Sequence, residues 1–513
     1  MIPWLAVSNG AAPGGAAVDR YVMAIDQGTT GTTVLMLDRA GKVVSRGYSE
    51  FTQHYPRPGW VEHDAEEIWS VSHRVMKQAL DAGGITPAQV AAIGITNQRE
   101  TTVLWDRETG RPVANAIVWQ CRRTADMCRA LKEKGLEPAV RAKTGLLLDA
   151  YFSGTKVRWL LDANPAVLSR AREGRVLFGN IDSWLLWKLT GGKSHVTDFT
   201  NASRTLLFNI HEKRWDPELL EQLGVPAAML PTVQSSASRF GTTDPDAFFG
   251  AAVPVSGIAG DQQAALFGQG CWEPGMAKNT YGTGCFLLMN MGDRDRTSQK
   301  GLLTTLCAGK SGEPLYALEG AVFIAGAAVQ WLRDALGVIQ HAAETEAIAT
   351  SVGDNAGVYF VPAFVGLGAP HWDMNARGAI LGLTRGAGRA HVVRAALEAI
   401  AYQTHDLVGL MVEESGVPIR ELRVDGGACA NGFLMQFQAD LLGIPVDRPA
   451  NVETTALGAG YLAGLAEKFW ADADELAHVR RQDRLFRPAM AAPDRERLTA
   501  GWQAAVHRVL SKA

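Results

Sequence analysis

The sequence predicts an α/β protein of two similar domains, and three observations carry that class. Short apolar runs feed glycine turns at Ala24-Ile25-Asp26-Gln27-Gly28-Thr29-Thr30-Gly31, at Gly257-Ile258-Ala259-Gly260-Asp261-Gln262-Gln263 and at Arg423-Val424-Asp425-Gly426-Gly427-Ala428. A buried strand entering a loop that approaches something closely has this form. The unit of strand, Gly/Thr turn and strand occurs twice, near residues 21–38 and again near 276–290. The 513 residues also exceed what one hydrophobic core usually serves.

The elements follow in order. Residues 1–19 read as a flexible tail, because Met1-Ile2-Pro3-Trp4-Leu5 through Gly14-Gly15-Ala16-Ala17 lacks a positive leading region and is broken by proline and glycine. The apolar runs 21–26 and 33–38 form a hairpin whose mouth holds Asp26, Thr29 and Thr30. Gly41-Lys42 then turns into a strand, Val43 to Tyr48, and a helix is expected over 66–82. Ala91 to Thr96 reads as a strand entering the polar turn Asn97-Gln98-Arg99-Glu100, with Thr101 to Trp105 as the returning strand.

A mixed helical region covers residues 120–240. Val253-Pro254-Val255-Ser256 leads to the second turn and a short helix, Gln262 to Phe267. Met276 to Leu288 repeats the opening unit around Tyr281-Gly282-Thr283-Gly284. Leu422 to Asp425 enters the third turn, followed by a helix from Asn431 to Leu442 with Phe433, Phe437 and Leu441 on one buried stripe. The domains are drawn at 20–268 and 269–513.

Bulk properties exclude several partners. The composition, 47% hydrophobic and 20% charged, is that of a soluble globular enzyme. A net charge of −3 without a basic run argues against nucleic acid, so any anion is captured by a local site. Successive N–H groups in a Gly/Thr turn form an anion-binding concavity, to which threonine hydroxyls add donors. The nearby carboxylates would repel a bare polyphosphate, which makes a nucleotide with a divalent cation the first reading. The six cysteines show no CxxC pair and fit reduced thiols in the cytosol. Cys121 and Cys128 have no nearby histidine, and none of the 11 histidines has metal-ligand spacing. No apolar stretch reaches the length of a membrane span.

Seven segments in order carry a resemblance. They are Asp26-Gln27-Gly28-Thr29-Thr30, Asn97-Gln98-Arg99-Glu100-Thr101-Thr102, Trp119-Gln120-Cys121-Arg122-Arg123, Tyr151-Phe152-Ser153-Gly154-Thr155-Lys156, Gly260-Asp261-Gln262-Gln263, Tyr281-Gly282-Thr283-Gly284 and Asp425-Gly426-Gly427. The set resembles the glycerol kinases of the carbohydrate-kinase family, within the actin-like ATPase superfamily. The Gly/Thr turns alone fit any sugar kinase of that family. The Gln98-Arg99-Glu100 turn together with Trp119 to Arg123 points to glycerol.

The resemblance implies a ribonuclease-H-like fold in each domain, with ATP and glycerol meeting in the interdomain cleft of a cytoplasmic enzyme. It implies that Asp261 is the general base and that Asp26, with Asp261, sits near Mg²⁺. Thr29, Thr30, Gly31 and Thr283 would lie against the phosphates, and Gly326, Gln330, Gly427 and Asn431 would hold the nucleoside end. Arg99, Glu100, Tyr151, Asp261 and Gln262 would bond the polyol, with Trp119 and Phe286 packing its carbons. Relatives form dimers and tetramers, so a homo-oligomer is implied. The chemistry agrees: phosphoryl transfer needs positioning and charge neutralisation, and a triol needs paired polar groups.

Two departures accompany the resemblance. The first turn continues Gly31-Thr32-Thr33, where glycerol kinases often carry serine at the first position and arginine at the third. Thr33, expected among the nucleotide-binding residues by its position, therefore lacks a cationic phosphate contact. In the loop Asp246 to Ala252, alanines stand at 247 and 252, where relatives carry a phosphorylatable histidine or an arginine for fructose 1,6-bisphosphate. Neither control is expected here. Taken singly, Asp425-Gly426-Gly427 reads as a turn, Arg99-Glu100 as a solvated pair and Trp119 and Phe286 as core. Two rivals stand beside the main reading: a kinase for a pentulose or aldonate, and an actin- or Hsp70-like ATPase with no small acceptor.

Overall fold

The computed structural model describes residues 19–511, so positions 1–18 of the expected tail lie outside the described residues. The chain begins with β1 (Tyr21–Gln27), β2 (Gly31–Leu37) and β3 (Val43–Glu50), an antiparallel meander. Helix α1 (Ala65–Gly83) follows. Asp64 caps it by accepting from the amides of Glu66 and Glu67, and Gly84 ends it in the left-handed conformation at φ 62°. Next come β4 (Val90–Asn97), β5 (Val103–Asp106), α2 (Ser153–Ala163), β6 (Val176–Gly179) and α3 (Ile181–Leu189). The first half closes with β7 (Ala237–Thr242), β8 (Pro254–Gly260) and α4 (Asp261–Gly268).

The second half opens with β9 (Ala277–Tyr281), β10 (Cys285–Gly292), β11 (Leu303–Ala308), β12 (Pro314–Val322) and α5 (Gly326–Asp334). It continues through α6 (Arg389–Ser415), β13 (Leu422–Asp425), α7 (Gly432–Leu442), β14 (Val446–Pro449), α8 (Thr454–Ala466) and β15 (Gln482–Phe486).

Two sheets organise these elements. The first runs β7-β8-β4-β1-β2-β3 and the second β11-β12-β10-β9-β13-β14-β15. In the first, β1 is antiparallel to β2 and parallel to β4, which is parallel to β8. In the second, β9 is antiparallel to β10 and parallel to β13, which is parallel to β14. Five strands of each sheet share one order and one set of directions. That is the repeated ribonuclease-H-like unit of an actin-like ATPase, and the duplicated Gly/Thr motif is its sequence trace.

Helix α8 belongs to the second half of the chain yet packs on the first sheet. Its Ala456, Leu457 and Leu462 share a core with Val22, Ala24, Leu35, Ala92 and Ala259. The approach is backbone to backbone. A Cβ on Gly94 would lie 2.0 Å from the Ala459 carbonyl, and one on Gly458 would lie 1.9 Å from that of Ala264. The helix thus seats one end of the second half beside β1. Thr454 at its start donates to Asp425 at 2.6 Å. Among the described residues no helix is long and apolar enough to cross a membrane.

One expectation is corrected. Thr101 to Trp105 does not return along the strand before it. The strand β5 pairs antiparallel with β6 outside the main sheet, because both edges of β4 are already taken by β1 and β8.

Candidate active site

The site gathers where β1, β4 and β8, all parallel, reach their carboxyl ends. Ligands of open α/β sheets bind at such ends. From β4 the chain enters Gln98-Arg99-Glu100, all buried, so the solvated-pair reading of Arg99 and Glu100 is corrected. Glu100 holds φ at 61°, left-handed for a non-glycine residue. Its carbonyl accepts from Thr102 Oγ1, Ser153 Oγ and Lys156 Nζ, each at 3.1 Å. Those donors hold the strained turn and aim the Glu100 side chain inward.

Inside is a buried ionic cluster contributed by both halves of the chain. The Arg99 guanidinium donates to Glu319 Oε2 at 2.5 Å and Oε1 at 3.2 Å, and to Gln263 Oε1 at 3.1 Å. Arg204 donates from Nε to Glu100 Oε1 at 2.6 Å and from Nη2 to Glu319 Oε1 at 2.9 Å. Two atoms in the cluster have no partner, Glu100 Oε2 and Arg204 Nη1. Burial would raise Glu319, but Arg204 and Arg99 draw it down to about 2. Burial does raise Glu100, which Arg204 and Arg99 only partly offset. Glu319 is gripped by two guanidinium groups; Glu100 keeps one acceptor oxygen open.

Asp261 is the first residue of α4, at the helix's positive end. Its Oδ1 lies 3.1 Å from Arg99 Nε and accepts from the Gln262 amide at 2.7 Å. Both contacts fall on Oδ1, which leaves Oδ2 able to accept a further hydrogen bond. Gln262 accepts on Oε1 from Lys278 Nζ at 2.5 Å, so its amide N–H₂ remains to donate. Tyr151 places its hydroxyl 3.5 Å from Arg99 Nη2 and its ring edge-on to Trp119, centroids 5.5 Å apart. Phe286, half-buried on β10, faces Thr280 across the ladder.

The first Gly/Thr turn lies beside this cluster. Its Thr29 hydroxyl accepts from the Trp119 indole at 2.9 Å, and the carbonyls of Gly28, Thr29 and Thr30 all receive protein donors. Among the described residues the Thr29 and Thr30 amides donate to no protein acceptor. They are free to receive an anion. Gly31 is crowded: a Cβ there would meet the Ser49 carbonyl at 2.8 Å and the Tyr48 ring at 2.9 Å. Thr33 is buried on β2 opposite Asp26 and Tyr48. Burial, Asp261 and Glu453 together raise Asp26 to about 8.

The residues expected at the nucleoside end sit on the second half, Gly326 and Gln330 on α5, Gly427 in the turn after β13 and Asn431 at the start of α7. The carbonyl of Thr283 accepts from Ala325 at 2.9 Å and Ala327 at 3.1 Å, and Gly326 opens α5 against Gly282. A Cβ on Gly326 would lie 2.6 Å from the Gly282 carbonyl, so only glycine permits this seam. Gly427 is exposed, and a Cβ there would meet nothing within 4 Å. Gln330 is exposed on α5. Asn431 is already engaged: it caps α7 through Leu434 N at 3.0 Å and donates to Thr345 at 3.1 Å.

Two family models match this chain, the N-terminal domain of the FGGY family of carbohydrate kinases over residues 21–268 and the C-terminal domain over 277–467. The chain belongs to the FGGY carbohydrate kinases. This kinase is 60% identical over 489 residues to a glycerol kinase of Carboxydothermus hydrogenoformans, covering 95% of this chain and 98% of the relative. It is 59% identical to glycerol kinase 2 of Thermotoga maritima, covering 96% and 99%. A crystal structure of Plasmodium falciparum glycerol kinase with ADP superposes with TM-score 0.91 at 37% identity, covering 96% and 98%. Gluconate kinase from Lactobacillus acidophilus, 20% identical with TM-score 0.86, shares the fold.

Three charged residues of this FGGY kinase escaped the sequence reading. Glu319 interrupts the apolar run Ala317-Leu318-Glu319-Gly320-Ala321, a buried-strand signal with one acid in it. Arg204 lies in the polar stretch Thr200 to Thr205, with no local mark of a site. Lys278 sits two residues ahead of Thr280 on β9, and burial lowers it to about 8.

Proposed function

We propose that this kinase transfers the γ-phosphoryl group of ATP to a terminal hydroxyl of glycerol, forming glycerol 3-phosphate and ADP. The observation that carries the reading is the buried Arg99–Glu100–Arg204–Glu319 cluster with one unpartnered carboxylate oxygen and Asp261 beside it. A triol offers several hydroxyls and little apolar surface, and such a set of donors and acceptors suits it. The full-length likeness to glycerol kinases supports the same acceptor.

In this reading Asp261 takes the proton from the attacking hydroxyl, and the alkoxide oxygen bonds to the γ-phosphorus as the bond to ADP breaks. Glu100, Gln262, Tyr151 and Arg99 orient the polyol, and Trp119 and Phe286 cover its carbons. Thr29, Thr30 and Gly31 receive the phosphates, with Thr283 on the facing loop. Gly326, Gln330, Gly427 and Asn431 hold the nucleoside end, Asn431 through atoms it would have to share with its helix cap.

A divalent cation suits Asp26 and Asp261, whose carboxylates lie close enough that Asp261 adds to burial in raising Asp26 to about 8. Magnesium bound with a nucleotide is held by the phosphates and by one or two carboxylates, which these two aspartates could supply. Bound there, Mg²⁺ would neutralise phosphate charge. The domain division at 268/269, a cytoplasmic location and a homo-oligomer belong to the same reading. Six buried, unpaired cysteines support the reducing compartment.

A coupled assay of ADP release with glycerol, xylulose, gluconate and water as acceptors tests it. Glycerol is expected to give the highest kcat/KM by far. Equal rates with water would instead favour an ATPase.

A further inference from the structure

A closed ring of hydrogen bonds joins Thr29 and Trp119 through residues that the transfer itself does not use. Thr29 Oγ1 accepts from Trp119 Nε1 at 2.9 Å. The Trp119 amide donates to Thr101 Oγ1 at 3.3 Å, whose hydroxyl donates to Gln98 Oε1 at 2.9 Å. Gln98 Nε2 lies 3.4 Å from His63 Nδ1, and His63 Nε2 lies 2.7 Å from Gln53 Oε1. Gln53 Nε2 donates to the Thr29 carbonyl at 3.0 Å, which closes the ring.

Chemistry assigns every proton in it. A carbonyl only accepts, so Thr29 O fixes the amide nitrogen of Gln53 toward the turn. Gly28 O, at 3.2 Å, fixes that of Gln98 in the same way. Gln98 Nε2 also lies 3.1 Å from Gln27 Oε1, so its two N–H groups are shared among that oxygen, Gly28 O and His63 Nδ1, and it faces the imidazole as a donor, while Gln53 presents its oxygen to Nε2. Only a neutral imidazole with its proton on Nε2 meets both demands. His63 is fully buried, edge-on to Phe51 at 4.9 Å. Burial first, then His54, lowers it to about 4. The groups facing it are Phe51, Gln53, His54 and Gln98, and the ring carries no formal charge.

Resting on the proposed reading of the two pockets, we propose that His63 is a positioning residue that couples the acceptor wall at Trp119 to the phosphate turn at Thr29. An acceptor seated against Trp119 steadies the indole, and the ring passes that order to the turn from both its hydroxyl and its carbonyl. A nucleotide then binds a turn already shaped. Coupling of this kind is reciprocal.

The test measures the Kd of MgADP by calorimetry with and without saturating glycerol, in the wild type and in His63→Gln and His63→Leu. The wild type is expected to bind MgADP at least about fivefold tighter with glycerol, the low end of ordinary coupling. Both variants are expected to reduce that ratio to less than about twofold, whatever their separate affinities. A role in stability alone would shift both affinities and leave the ratio intact. A wild-type ratio of one, or an unchanged ratio in the variants, overturns the proposal. Nitrogen-15 spectra of histidine-labelled wild type give a second check, in which a proton on Nδ1 of His63 overturns it. Phosphate transfer to glycerol, measured on the same samples, reports separately on the reading of the pockets.

Discussion

Asp261 Oδ1 lies 3.1 Å from Arg99 Nε, while the terminal nitrogens of Arg99 are bound to Glu319 on the other half of the chain. In the proposed reading the base is therefore oriented by a guanidinium that is itself held by the other half of the chain. Replacing Asp261 by Asn keeps the shape and removes the proton acceptor. We expect kcat to fall by about 10²- to 10⁴-fold with glycerol KM changed little. Wild-type turnover in Asp261→Asn would remove the residue from its role.

Glu319 bridges two arginines at once. Glu319→Gln leaves Arg99 and Arg204 buried with too little negative charge, and removing one partner of a buried pair costs about 3–5 kcal/mol. Lower thermal stability and a reduced kcat/KM for glycerol are expected together. A variant as stable as the wild type would mean that the arginines find another counter-charge.

Glu100 Oε2 is buried and without a partner, the condition of an acceptor waiting for a substrate hydroxyl. In Glu100→Gln the contact with Arg204 can persist, while that second position becomes an N–H₂ donor. Glycerol KM is expected to rise by about 5- to 150-fold, the equivalent of about 1–3 kcal/mol, with kcat affected less. An unchanged KM would place the polyol elsewhere.

His195 Nε2 lies 2.8 Å from the Phe178 carbonyl, and the ring packs edge-on to Trp105 at 5.4 Å. A carbonyl only accepts, so Nε2 is the donor. Burial first, with Arg107 adding to it, lowers its pKa from 6.5 to about 4. The folded form is then neutral where the unfolded chain has taken a proton, so its contribution is full above 6.5 and is lost as pH falls toward 4. Relative to His195→Gln, wild-type stability should drop by about 1.4 kcal/mol per pH unit across that window. Urea midpoints at about pH 7 and pH 5 would read the difference, and parallel lines for the two proteins would refute it.

Local signals reached far into this molecule. Apolar runs ending in Gly and Thr marked β1, β8, β9 and β13, because strand burial and loop conformation are written in neighbouring residues. Asp26, Arg99, Glu100 and Asp261, which lie close to one another in the fold, stood out in the sequence for the same reason: each belongs to a compact motif. The strand after Glu100 was misassigned to its neighbour. Its true partner, β6, is separated from it by some 70 residues, and nothing local says which edge is free.

What the residues determined alone is the repeated α/β unit and the hydrogen-bonding chemistry of its turns, since propensity and hydrogen-bonding capacity belong to each residue. Tertiary structure decided the rest. It brought Glu319 from β12 between Arg99 and Arg204, laid α8 across the first sheet and closed the ring through His63. Ion pairing and close packing act through distance in space, and 220 positions of chain separate Arg99 from Glu319.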